Sequence, residues 1–168
     1  MAQSRLLQAK LKKIKLLLLD VDGVLTDGGV YIAESGDRFK KFNIQDGYGI
    51  VKARQNGITV GIITGGESKI VELRAAELGI TEVYQRFDDK IAAYERIKAK
   101  VNVRDAEIAH VGDDELDIPL FERVGFSAAP ADALPGVRKK VDYVCKRKGG
   151  DGAVREVIEK ILQGRGDG

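Results

Sequence analysis

Apolar and polar positions along this chain follow two interleaved rhythms. Short apolar runs alternate with longer stretches in which apolar side chains recur every three or four positions, the signatures of buried strands and amphipathic helices. The first run, Leu16-Leu17-Leu18-Leu19, is unbroken and leads straight into Asp20-Val21-Asp22-Gly23-Val24-Leu25-Thr26. Before it, a basic amphipathic segment over about 3–13 reads as a solvated leading helix. After it, Gly28-Gly29 introduces Val30 to Ala33, a polar turn at Glu34-Ser35-Gly36-Asp37, and Arg38 to Asn43. Two strand-like runs around a short turn predict a β-hairpin over about 30–43.

Beyond the hairpin the pattern predicts a helix over 47–56 capped by Asp46, a strand over 58–63, a helix over 68–78, a strand over 82–87 and a helix over 89–100. It continues with a strand over 107–111, a helix over 116–123, strands over 125–128 and 141–145, and a helix over 153–162. This alternation is that of an α/β fold, a doubly wound parallel sheet of the Rossmann-like kind, here with a hairpin flap and no cap domain. We expect one domain over 1–168, with a mobile tail over 163–168 where apolar content runs out.

Composition narrows the picture. The 28 basic and 26 acidic residues leave a formal charge of +2 and no broad basic field, so nucleic acid is not expected as a partner and a small molecule is. The single cysteine, Cys145, excludes an internal disulfide and fits a packed thiol in a reducing, cytoplasmic setting. No stretch approaches the ~20 apolar residues of a membrane span.

The candidate chemistry lies at the carboxyl ends of the strands, where open α/β sheets hold ligands. With strand side chains alternating, Asp20 and Asp22 are expected on one side of the first strand, a few ångströms apart. The second parallel strand ends in Thr64-Gly65-Gly66, a hydroxyl followed by two residues whose backbone N–H groups can approach an anion closely. The third leads to Lys90, a cation at a helix start where the dipole gives it nothing. The fourth ends in His110-Val111-Gly112-Asp113-Asp114-Glu115-Leu116-Asp117. Asp113 is the candidate ligand there, Asp114 and Asp117 form a supporting acidic cluster, and His110, the only histidine, reads as a structural imidazole within an apolar strand.

Asp20, Asp22 and Asp113 on one sheet edge favour a bound hard cation, and oxygen ligands without thiols point to Mg²⁺ rather than zinc. A calcium-binding EF-hand loop beginning at Asp20 fails, because its glycine would fall at Leu25 and its glutamate at Tyr31. Carboxylates, Mg²⁺, an anion nest and a lysine are the parts of a phosphoryl-transfer site. In this reading Asp20 attacks phosphorus, Asp22 serves as acid and base, and Thr64 and Lys90 hold the phosphoryl oxygens.

Asp20-Val21-Asp22-Gly23-Val24-Leu25-Thr26-Asp27, Ile63-Thr64-Gly65, Lys90 and Gly112-Asp113-Asp114 resemble the four ordered motifs of haloacid dehalogenase-superfamily phosphatases. The resemblance implies that Asp20 is nucleophile and metal ligand, that Asp22 binds Mg²⁺ through its carbonyl, and that Asp113 is the third ligand. Thr26-Asp27-Gly28, Lys41-Phe42-Asn43, Asp46 to Ile50, Leu78-Gly79-Ile80 and Gly149 to Glu156 extend it to the capless subgroup of 3-deoxy-D-manno-octulosonate 8-phosphate (KDO 8-phosphate) phosphatases. That subgroup implies a sugar-acid phosphate substrate, a role in lipopolysaccharide precursor synthesis, and a homotetramer assembled through the 30–43 hairpin. Gly66 and Asp151 stand where arginine is common in the subgroup. The alternative reading is therefore a related phosphatase of nine-carbon keto-sugar acid 9-phosphates or of broad sugar-phosphate specificity. A receiver-like or scaffold protein is more remote, since a receiver has no use for Asp22.

Overall fold

The computed structural model describes residues 2–87 and 89–167, so residue 168, the last of the expected tail, lies outside the described residues. Helix α1 (Ala2–Leu11) leads into strand β1 (Leu16–Leu19), and the hairpin strands are β2 (Tyr31–Ile32) and β3 (Arg38–Phe39). Then follow α2 (Ile44–Gln55), β4 (Thr59–Ile63), α3 (Lys69–Glu77), β5 (Glu82–Tyr84) and α4 (Lys90–Val101). The chain continues through β6 (Ile108–Val111), α5 (Ile118–Phe121), β7 (Phe126–Ala129), α6 (Pro135–Arg138), β8 (Tyr143–Val144) and α7 (Ala153–Arg165).

Six strands form one parallel sheet in the order β5-β4-β1-β6-β7-β8. The four leucines of β1 are completely buried, and their alternation divides the core in two. Leu17 and Leu19 enter a cluster with Val71 and Ala75 of α3, Ile50 of α2 and Val157, Ile158 and Ile161 of α7; Leu16 and Leu18 enter another with Ala93, Tyr94 and Ile97 of α4. An unbroken apolar run is thus what a strand covered on both faces requires. Because β4 and β6 flank β1 on either side, the chain reverses its direction of winding there, which opens a crevice at the carboxyl end of β1. The described residues carry no cap domain over this crevice.

Several boundaries differ from the sequence reading. Helix α2 begins at Ile44 because Asn43, not Asp46, caps it, accepting from the N–H groups of Gln45 and Asp46. Asp46 is buried and caps α7 instead: its carboxylate accepts from Arg155 N at 2.7 Å and Gly152 N at 3.3 Å. The helix expected over 116–123 is a 3₁₀ turn, Glu115–Asp117, followed by the single turn of α5. The hairpin strands are shorter than expected, and Phe42 pairs with Thr26.

Of the tail expected over 163–168, Gln163 to Arg165 continue helix α7. Gly164 lies against Leu11, where a Cβ would overlap the leucine side chain, so α7 runs in close contact with α1. Arg165 secures the end by donating to the carbonyls of Ile14 and Asn56. Cys145 is buried and free, its thiol pushed up to about 12 by burial and nearby carboxylates.

Candidate active site

Asp20 follows β1 directly and is 8% exposed. Its Oδ1 accepts from Val21 N at 2.7 Å and its Oδ2 meets Lys90 Nζ at 3.0 Å. Lys90 is the first residue of α4, held there by Asp89, whose side chain caps the helix. The lysine is 3% exposed and bridges two carboxylates, with Asp117 Oδ1 at 2.6 Å. A cation misplaced for the helix dipole is therefore placed for Asp20 and Asp117. Burial pulls the ammonium's pKa down, but these two charges outweigh it and hold Lys90 above the usual lysine range.

Asp113 enters the same space from the end of β6, across Gly23. A Cβ on Gly23, whose φ is 84°, would overlap the Asp113 carboxylate. One carboxylate oxygen each from Asp20, Asp113 and Asp117 lie within 4.8 Å of one another. The three differ in what their oxygens already do. Asp117 Oδ1 takes Lys90 and His110 Nε2 (2.8 Å), and its Oδ2 takes the N–H groups of Asp113 and Asp114. Asp113 Oδ1 is buried and has no hydrogen-bond partner among the described residues. Burial and the charges of Asp20 and Asp117 push Asp113 up to about 7. Burial likewise raises Asp20, despite Lys90, whereas hydrogen bonds and charge from His110 and Lys90 overcome burial and hold Asp117 well below the usual range.

An orphaned carboxylate oxygen beside a second buried carboxylate is the arrangement that a hard cation satisfies. Asp117 has no lone pair to spare and acts as a buttress. The imidazole that orients it bonds through both nitrogens, to Asp117 and to Leu18 O at 3.2 Å, so His110 is structural. Asp114 remains at the rim, where its side chain caps the turn at Glu115.

Asp22 departs from expectation. Strand geometry ends at Leu19, and Val21–Leu25 wind into a π-helical turn broken at Asp22 and Gly23, so the period of two does not carry past Asp20. The Asp22 side chain is half exposed and pairs with Lys40 of the hairpin. The crowding of like charges expected between Asp20 and Asp22 falls instead among Asp20, Asp113 and Asp117. Thr64 is 3% exposed at the end of β4, held by Thr64 N donating to Tyr84 O and Phe87 N donating to Thr64 O. Gly65 is half-buried and Gly66 exposed; a Cβ on Gly66 would stand 3.7 Å from Asp22 Oδ2 and 4.0 Å from Thr64 Oγ1. Thr64, Gly66 and Asp22 therefore border one opening.

The late glycine stretch supports the turn from below. Gly149 lies so close to the carbonyl of Gly23 that a Cβ would overlap it, and Gly150 N donates to Val24 O at 3.0 Å. Sequence reasoning missed this clamp, the Asp117–His110 buttress and the Lys40–Asp22 pair. Only the four-residue spacing from Asp113 to Asp117, which folds one back on the other, hinted at the second.

Residues 67–158 match the family of haloacid dehalogenase-like hydrolases. The chain belongs to this family. It is 47% identical over 158 residues to the 3-deoxy-D-manno-octulosonate 8-phosphate phosphatase of Escherichia coli strain K12, covering 94% of this chain and 84% of that one. The crystal structure of the phosphatase of the same name from Yersinia pestis superposes with a TM-score of 0.95 at 42% identity, over 96% of this chain and 88% of that one. The Moraxella catarrhalis phosphatase, solved with magnesium, phosphate and KDO, gives a TM-score of 0.93 at 38% identity, over 96% of this chain and 92% of that one. Asp20, Thr64, Lys90 and Asp113, the residues that carried the resemblance, follow β1, β4, β5 and β6, which are neighbours in the sheet.

Proposed function

We propose that this protein is a Mg²⁺-dependent phosphomonoester hydrolase that converts KDO 8-phosphate to KDO and phosphate. The observation that carries the reading is the buried, unpartnered Asp113 Oδ1 beside Asp20 and Lys90. The high identity to KDO 8-phosphate phosphatases over nearly the whole chain supports the substrate, and the magnesium, phosphate and KDO of the Moraxella relative support cofactor and product.

Asp20 and Asp113, with the Asp22 carbonyl, would hold Mg²⁺. When bound, the cation neutralises phosphoryl oxygens against the carboxylates that surround them. Lys90 favours the ionised form of Asp20 against its burial and aims the side chain, since its ammonium sits on Oδ2 while Val21 N fixes Oδ1. Asp20 attacks phosphorus and the bond to the leaving oxygen breaks, forming an aspartyl-phosphate. Asp22 gives a proton to the departing oxygen and takes one from the water that hydrolyses the intermediate. Thr64 and the N–H groups of Gly65 and Gly66 receive the phosphoryl oxygens, with Lys90 supplying positive charge. Lys40 keeps Asp22 at the mouth of the site.

We further place the enzyme in the cytoplasm as a homotetramer joined through the hairpin. The lone buried thiol supports a reducing compartment, and no described helix is long and apolar enough to cross a membrane. Val30, Ile32, Phe39 and Ile44 are exposed apolar side chains on and beside the hairpin, a surface suited to partner subunits. Measuring phosphate release with Mg²⁺ from KDO 8-phosphate, nine-carbon keto-acid 9-phosphates and neutral sugar phosphates tests the reading. The highest kcat/KM on KDO 8-phosphate supports it, and preference for another substrate overturns the specificity.

A further inference from the structure

A cavity of about 440 Å³ opens beside the catalytic turn, with the hairpin on one side and the loop after Thr64 on the other. Its lining includes Asp22, Tyr31, Arg38, Lys40, Gly66 and Glu67. The volume falls within the ~300–1,000 Å³ of small-molecule sites. Asp22, the group proposed above to protonate the leaving oxygen, stands in its wall. Gly66, two residues after Thr64, stands there too, so the cavity adjoins the side on which Asp22 would meet the leaving oxygen.

The charges in the wall say what kind of leaving group fits. Asp22 is paired with Lys40, and Glu67 with Arg86. Arg38, exposed on β3, has neither a side-chain ion pair nor a side-chain hydrogen bond among the described residues, so it is the charged group of the lining left free to meet a ligand. A guanidinium presents paired donors suited to a carboxylate. Gly66 leaves the opposite wall without a side chain, and Tyr31 and Phe39, cross-strand partners, also line the cavity, while Arg38 lies opposite Ile32.

We infer that Arg38 is the residue that selects an anionic leaving group, by receiving its carboxylate within the same subunit. This rests on the functional reading above and deepens it: it names the group on this chain that reads the charge of the leaving group. The contact is made equally before and during reaction, so its loss raises KM and leaves kcat largely alone.

The test compares wild type with Arg38→Ala and Arg38→Lys on two substrate pairs that differ in charge: KDO 8-phosphate against its C1 methyl ester, and 6-phosphogluconate against glucose 6-phosphate. In wild type the anionic member of each pair is preferred. Arg38→Ala lowers that preference at least about tenfold through KM, in the range of one lost charge-assisted hydrogen bond, and Arg38→Lys restores part of it. Unchanged thermal unfolding of both variants excludes a folding defect. A wild type that ignores charge in both pairs, or an Arg38→Ala variant that keeps the wild-type preferences, overturns the inference. If KDO 8-phosphate is a poor substrate while Arg38→Ala still lowers the 6-phosphogluconate preference, the substrate reading fails and the assignment of Arg38 stands. If KDO 8-phosphate is strongly preferred and Arg38→Ala changes neither ratio, the reverse holds.

Discussion

Replacing Lys90 with methionine keeps the volume of the side chain and removes its charge from between two buried carboxylates. Its ammonium stands 3.0 Å from Asp20 and 2.6 Å from Asp117, and the Asp117 side chain has no exposed surface. At an effective dielectric of 20 each contact has a gross attraction of about 5–6 kcal/mol, most of it offset by desolvation. Removing one partner of such a pair costs about 3–5 kcal/mol, because the remaining charges stay buried. For a chain of this size each kcal/mol moves Tm by about 2–4 °C. Lys90→Met is therefore expected to melt about 6–20 °C below wild type in metal-free buffer, read by calorimetry or circular dichroism. The sign with pH follows from the raised lysine pKa: the contribution is fully present below the ordinary lysine value near 10.4 and is lost only as pH rises beyond it, so the deficit persists across neutral pH. Adding Asp117→Asn does not return activity: an amide that keeps its oxygen toward His110 turns its NH2 onto the N–H groups of Asp113 and Asp114. A Lys90→Met protein that melts within about 2 °C of wild type would refute the reasoning and reduce Lys90 to a phosphate contact.

Asp113 makes Mg²⁺ binding pH-dependent: with its pKa pushed up to about 7, the cation must displace a proton below that pH. Its apparent affinity rises by up to about tenfold per pH unit from 5 to 7 and then levels, with proton release visible by calorimetry in buffers of different ionisation enthalpy; a pH-independent affinity contradicts this. The same raised pKa means that the metal-free protein is most stable below about pH 4 with respect to this group and loses up to about 4 kcal/mol as pH rises through 7, a loss that Mg²⁺ reverses. Gly149→Ala drives a methyl group into the Gly23 carbonyl, shifts the turn that carries Asp22, and is expected to lower kcat at least about tenfold with a smaller change in melting temperature; wild-type kcat would remove the clamp from the account.

The fold was legible because its signals are local and strong. Four consecutive leucines define a strand covered on both faces, and the helical periods between later apolar runs require crossovers, so a parallel sheet follows. Boundaries were less legible where a distant group decides them. Asp46 is a good cap by residue type, yet its hydrogen bonds go to α7, more than a hundred residues away. Gly164 and Arg165 looked like tail until Leu11 and Ile14 were brought beside them. At the site, residue type and position at strand ends marked Asp20, Thr64, Lys90 and Asp113. Periodicity was no guide to Asp22, because strand geometry ends at Leu19, three residues before it. Nor does any local pattern announce that Lys40 and Arg38, two apart on a hairpin strand, line the same cavity, since that depends on how the hairpin folds over the catalytic turn.

The claim on which everything else depends is that Asp20 carries the phosphoryl group. Radiolabelled KDO 8-phosphate mixed with enzyme and Mg²⁺ and quenched in acid within the first turnover tests it directly. The account predicts protein-bound label that neutral hydroxylamine releases, that maps to the peptide containing Asp20, and that is absent from Asp20→Asn. Rapid phosphate release with no label on the protein, or label at any other residue, would contradict it.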